Sequence, residues 1–154
     1  MTRRTLILLA AAGSFALLGG AFLFQLAGYP PCKMCIWQRW PHGAAIALGL
    51  IGAAYPAAVV AWLGAAAAAV TSGLGFFHAG VEQGWWEGPT SCTGTGPGVT
   101  GLSGADLLST EGAGAIIMCD EIVWSLFGLS MAAWNGILSA VLVGIWIAAA
   151  RARA

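Results

Sequence analysis

Uncharged, strongly apolar residues run from Leu6 to Ala27, from Trp40 to Val81 and from Ile122 to Ala150. Polar residues gather between and beyond these runs. The first run is long enough to cross a bilayer, for which about 20 residues suffice. As one helix the second would be about 60 Å long, twice the hydrocarbon thickness, so it must turn back on itself. Tyr55-Pro56 is the strong punctuation near its middle, since proline cannot continue a helical hydrogen-bond ladder. The third run exceeds one crossing, and its first part is expected at the membrane–water interface. The pattern predicts an all-α integral membrane protein, a four-transmembrane-helix bundle with residues 1–154 as a single membrane domain. Spans are expected over 6–27, 36–54, 57–78 and 131–149, with loops over 28–35 and 79–130. Gly and Ala are frequent in the spans, which lets helices approach closely in lipid.

Composition agrees with this reading. The chain is 59% hydrophobic and 8% charged, against about 25% charged in a soluble domain. Its formal net charge is zero, so charge makes no case for nucleic acid as a partner. The run after Thr2-Arg3-Arg4 is longer than a signal-peptide core of about 7–15 residues, and a retained span is expected.

The charges are unevenly placed. Arg3, Arg4, Arg151 and Arg153 lie at the termini, and Lys33 and Arg39 accompany a cysteine pair. All the acidic residues (Glu82, Glu87, Asp106, Glu111, Asp120 and Glu121) fall between the third and fourth spans. An even number of spans puts both termini on one side, and the positive-inside rule makes that side the cytoplasm. Both cysteine-bearing loops then face the periplasm of a bacterial inner (plasma) membrane, with Cys92 and Cys119 open to reagents from outside. In the long loop, Trp85-Trp86 suits an interface, and Ser103 to Asp106 are placed to cap a short helix. Asn135 is expected to make a helix–helix hydrogen bond.

The chemistry centres on Pro31-Cys32-Lys33-Met34-Cys35-Ile36-Trp37-Gln38-Arg39. Two residues between cysteines let both sulfurs meet in one turn, and a helix N-terminus favours a thiolate there. Arg39 lies one turn beyond Cys35 on the same helical face. Cys92 and Cys119 form a second pair in the long loop. Four thiolates also make a zinc site, but the second pair lacks CxxC spacing, and no metal is expected. Four cysteines outside the middles of the apolar runs suit an oxidising compartment. A loop pair can exchange disulfides with a soluble partner and then with the CxxC. Electrons reaching a CxxC at a membrane surface need an acceptor. The sequence has no haem CxxCH, Cys/His cluster or nucleotide motif, and a lipid-soluble quinone fills that gap.

These residues resemble the DsbB family, bacterial disulfide bond formation proteins that reoxidise the thiol oxidase DsbA and reduce quinone. The resemblance covers nearly the whole chain. It rests on Pro31-Cys32-x-x-Cys35-Ile36-x-x-Arg39, His78 near the end of the third span, and the loop cysteines. Cys119-Asp120-Glu121-x-x-Trp124 and Phe127-Gly128-Leu129-Ser130-Met131 complete it. It implies a protein dithiol:quinone oxidoreductase with redox-active disulfides Cys32–Cys35 and Cys92–Cys119. Its partners would be a DsbA-like periplasmic thiol oxidase, the lipid bilayer and a membrane quinone, ubiquinone or menaquinone. Cys92 would meet the partner's thiolate, Cys119 would attack Cys32, and Cys35 would pass electrons to the quinone. Arg39 would polarise a quinone oxygen and stabilise the Cys35 thiolate. His78, Trp124 and Met131 would lie near the ring, while His42 receives no role. The alternatives are a structural or adaptor protein braced by its disulfides, and a vitamin K epoxide reductase-like enzyme. In the latter the CxxC follows the loop pair, whereas here it comes first.

Overall fold

The computed structural model describes residues 1–89 and 118–153. Among these residues are four long helices, α1 (Arg3–Leu26), α2 (Lys33–Ala54), α3 (Ala58–Glu82) and α4 (Met131–Arg151). A short antiparallel hairpin, β1 (Ser125–Leu126) with β2 (Leu129–Ser130), leads into α4. The proposed cap around Ser103 and the position of Cys92 lie outside the described residues.

The helix ends follow local chemistry. Thr2 caps α1 by accepting the Thr5 N–H. Gly28 ends that helix at φ +96°, where its N–H and that of Tyr29 turn back to the carbonyls of Gln25 and Phe24, a glycine stop. α2 stops at Ala54 and α3 starts at Ala58, so Tyr55-Pro56 makes the tight turn expected of it. α2 begins at Lys33 instead of 36 because Cys32 itself is the N-cap. α3 continues past 78 to Glu82. The first part of the third apolar run folds as the hairpin, with Phe127 at φ +54° and Gly128 at φ +77° in its turn.

The helices form a ring in which α1 packs on α2, α2 on α3, α3 on α4 and α4 on α1. Glycines set the spacing. A Cβ at Gly75 of α3 would stand 2.7 Å from the backbone nitrogen of Gly136 on α4. One at Gly64 would stand 2.5 Å from ring carbons of Trp146. Trp146, Ile7, Ala10, Ala45 and Ala65 are the middle of the buried core. Phe15, Leu23, Leu50 and Val141 point outward uncovered. Such a belt of apolar side chains is unfavourable in water and natural in lipid.

α1, α3 and α4 are long and apolar enough to cross a membrane. α2 is of similar length, but its first turns carry Lys33, Gln38, Arg39 and His42. Arg3 ties one end of the bundle together, donating to the carbonyls of Ala149, Pro56 and Ala152. Both termini therefore share an end, and the CxxC lies at the other.

Candidate thiol–disulfide site

Cys32 caps α2 with its sulfur, which accepts the Cys35 N–H at 3.2 Å. This is the geometry that two intervening residues dictate, since an N-cap side chain reaches the amide three positions on. The Cys32 and Cys35 sulfurs stand 2.8 Å apart. The hydrogen bond to Cys35 and burial push the Cys32 thiol up, and the Cys35 backbone N–H acts against them.

Cys119 joins this cluster. It is 1% exposed and packs with Cys32, Met34, Val81 and Cys35. The expectation that Cys119 is open to outside reagents is corrected here. The segment after the long loop folds over the mouth of the bundle, so this thiol faces the CxxC and not the solvent.

His78, on α3, is 2% exposed. Its Nε2 lies 3.5 Å from the Cys32 sulfur and 4.0 Å from a carboxylate oxygen of Glu82. Glu82 in turn accepts a hydrogen bond from the Ser130 hydroxyl. The Cys32 and Cys35 sulfurs and a ring nitrogen of His78 lie within 4.8 Å of one another.

Beside the thiols, a cavity of about 420 Å³ opens between α1, α2 and α4. Its walls are mainly carbon, from residues such as Leu17, Phe24, Met131 and Leu138, and its polar lining includes Cys35, Arg39, His42 and His78. Arg39 donates through Nη1 to Gln25 Oε1 at 2.8 Å, with its guanidinium carbon 4.6 Å from the centre of the Phe22 ring. Its buried Nε has no partner among the described residues. Trp124 sits edge-on to Phe24 at 4.9 Å, and its carbonyl accepts the Met131 N–H. The structure thus brings Cys32, Cys35, Cys119, Arg39, His78, Trp124 and Met131 to one end of the bundle.

The site also contains residues that sequence reasoning passed over. Gln38 lies between His78 and Asn135, and His42 reaches Asn135 Oδ1 at 2.9 Å. Their signal was available in the sequence, because polar side chains inside apolar runs must find partners in a membrane.

A bundle with a lipid-type surface and a thiol pair at its mouth defines a helical membrane protein equipped for thiol–disulfide chemistry. Residues 3–149 match the family model for Disulfide bond formation protein DsbB. The chain is 36% identical over 161 aligned positions to Disulfide bond formation protein B of Verminephrobacter eiseniae (strain EF01-2). That alignment covers 98% of this chain and 86% of the relative. No solved structure matches the chain. The chain belongs to the DsbB family, and the oxidoreductase chemistry of disulfide bond formation comes with that membership.

Proposed function

We propose that this chain is an inner-membrane protein dithiol:quinone oxidoreductase that reoxidises a DsbA-like periplasmic thiol oxidase. The observation that carries the reading is the placement of Cys35 and Arg39 on a mainly apolar cavity, with Cys119 packed against Cys32 behind them. All four helices cross the membrane, α2 being the fourth span with its polar first turns sheltered by its neighbours. The arginine-bearing end lies in the cytoplasm, and the long loop is periplasmic.

The residues fit a quinone. Its ring needs flat, apolar walls, and its carbonyl oxygens need donors. The cavity has such walls, and the unpartnered Arg39 Nε is a charged donor on its lining. Arg39, His78, Trp124 and Met131 would hold the ring. When bound, a quinone supplies the oxidant, taking up the two electrons and two protons that a dithiol loses on becoming a disulfide.

The chain's own steps are thiol–disulfide exchanges. The partner's thiolate attacks Cys92 of the Cys92–Cys119 disulfide, and Cys119 leaves as a thiolate. Cys119 then attacks Cys32 of the Cys32–Cys35 disulfide. The Cys119–Cys32 bond forms, the Cys32–Cys35 bond breaks, and Cys35 keeps the electron pair. Arg39, one turn beyond Cys35, favours that charge. The test is anaerobic mixing of the purified protein with quinone and a reduced DsbA-like partner. Quinol should form in proportion to partner oxidised. Partner oxidation without quinol, or no reaction at all, overturns the reading.

A further inference from the structure

We infer that Gln38, Asn135 and His42 are positioning residues that hold His78 with its Nε2 proton directed towards Cys32, where it favours the negative charge that Cys32 takes when a Cys119–Cys32 disulfide is opened at Cys119. The inference deepens the proposed exchange reaction and rests on Cys32 taking part in it.

Hydrogen-bond direction carries the inference, and two backbone carbonyls set it. The Gln38 Nε2 lies 3.2 Å from the carbonyl of Met34. A carbonyl can only accept, so the amide nitrogen of Gln38 points there. The same NH₂ group lies 3.0 Å from His78 Nδ1. Having no lone pair to offer, it must donate. His78 Nδ1 is therefore the bare, accepting nitrogen, and the ring proton is on Nε2, 3.5 Å from the Cys32 sulfur.

The second anchor lies across the bundle. The Thr71 hydroxyl donates to the carbonyl of Gln38 at 3.2 Å. Its proton is committed, so at 3.3 Å it accepts from Asn135 Nδ2. That nitrogen also donates to Gln38 Oε1 at 2.6 Å. Asn135 Oδ1 is left as an acceptor, and His42 Nε2 and the Ser139 hydroxyl fill it at 2.9 and 3.3 Å. The two anchors are independent and agree. Every donor from His42 through Asn135, Gln38 and His78 points towards Cys32. Bonds aligned head to tail in a low-dielectric interior polarise one another. At its far end the string closes on His42 Nδ1, a buried acceptor on the cavity wall with no partner among the described residues.

Cys32 thus receives the Cys35 backbone N–H and lies 3.5 Å from the His78 Nε2–H, a ring that the backbone of Cys119 also meets. In a Cys119–Cys32 disulfide attacked at Cys119 by an incoming thiolate, a new bond forms to Cys119. The bond to Cys32 breaks and the electron pair stays on Cys32. One disulfide replaces another, with no net oxidation. The two donors take up the developing charge, and hydrogen bonds to a charged form favour it.

The test isolates this thiol. In the full chain carrying Cys35→Ala, Cys92→Ala and Cys119→Ala, Cys32 is the one cysteine remaining of four. The pH midpoint of its alkylation by iodoacetamide reads its ionisation without partner or quinone. Besides the replaced thiols, the charged or titratable groups around it are His78 and Glu82 on α3, Arg39 on α2 and Glu121, all on the same cavity, with Lys33 next in sequence and turned over the Trp37 ring. All of these stay constant except where His78 is itself replaced. Gln38→Met keeps the side-chain length and removes the donor, and Asn135→Leu removes the link before it. Each should raise the midpoint by about half a unit to one unit, as losing a hydrogen bond to a charged group does. His78→Leu should raise it at least as far, and adding either substitution to His78→Leu should raise it no further. A midpoint unmoved in a folded Gln38→Met or Asn135→Leu chain overturns the inference. So does a shift that persists in the His78→Leu background. Failure of quinol formation in the unmodified chain would instead strike the proposed function and leave these midpoints standing.

Discussion

Arg39 of α2 and Gln25 of α1 meet at 2.8 Å across the rim of the cavity. This bond holds a guanidinium against the Phe22 ring, and the buried Nε has no partner among the described residues. The residue that sequence reasoning placed one turn beyond Cys35 is thus held by a neighbouring helix and directed at a mainly apolar space. Arg39→Ala should raise the quinone concentration needed for half-maximal rate about tenfold or more, the effect of losing a hydrogen bond to a charged group. Affinity for the partner should not change, because the loop cysteines do not depend on this contact. Steady-state rates at varied quinone and varied partner separate the two. Weakened partner affinity with unchanged quinone dependence would reverse the assignment.

The proposed order of transfer makes a second prediction. Cys119→Ser should leave Cys92 able to trap a reduced partner as a mixed disulfide while halting transfer to Cys32. Cys92→Ala should trap none, yet quinone should still reoxidise its Cys32–Cys35 pair. Non-reducing gels of each variant show the adducts. A partner disulfide through Cys32 would sink the order.

Within the dithiol, the hydrogen bond to Cys35 and burial push the Cys32 thiol up. A raised thiol keeps its proton at neutral pH and ionises only as pH rises through its own higher value. In a Cys92→Ala, Cys119→Ala chain, iodoacetamide at neutral pH should therefore label Cys35 before Cys32. Replacing Cys35 with Ala removes the largest cause of the elevation, so the Cys32 midpoint should fall. Peptide mass spectrometry of timed samples reads both. Faster labelling of Cys32 in the dithiol would contradict the assigned direction.

Gly75→Ala tests the packing. Its Cβ would stand 2.7 Å from Gly136 N and 3.0 Å from the Ala132 carbonyl. Backbone atoms cannot rotate aside, so α3 and α4 must separate. A loss of about 1–3 kcal/mol is expected, read from unfolding in mixed detergent micelles. Gly73→Ala is a matched control, since nothing lies within 4 Å of its Cβ position. Equal stability of the two variants would argue against the close α3–α4 approach.

Much of this protein is legible in local sequence. Apolar runs broken by Gly28, Pro30, Pro31, Tyr55 and Pro56 mark where helices begin and end, because helix formation and breakage are decided within a few residues. The CxxC meets in one turn for the same reason, and Arg39 lies one turn beyond Cys35 by helical periodicity alone. The hairpin was less legible. Its strands are two residues each, too short for an alternating pattern, and they pair because α4 and the cavity rim hold them.

Tertiary structure decided the rest. It buried Cys119 beside Cys32, although the acidic residues next to it in sequence suggest an exposed loop. It also joined Gln38 to His78 and Asn135, separated by 40 and 97 positions. Sequence could say that Gln38, His42, Thr71 and Asn135 need partners inside a membrane, since unpaired polar groups are costly there. It could not say which partners. A hydrogen bond selects atoms within about 3 Å, and only the packed bundle brings atoms of three helices that close.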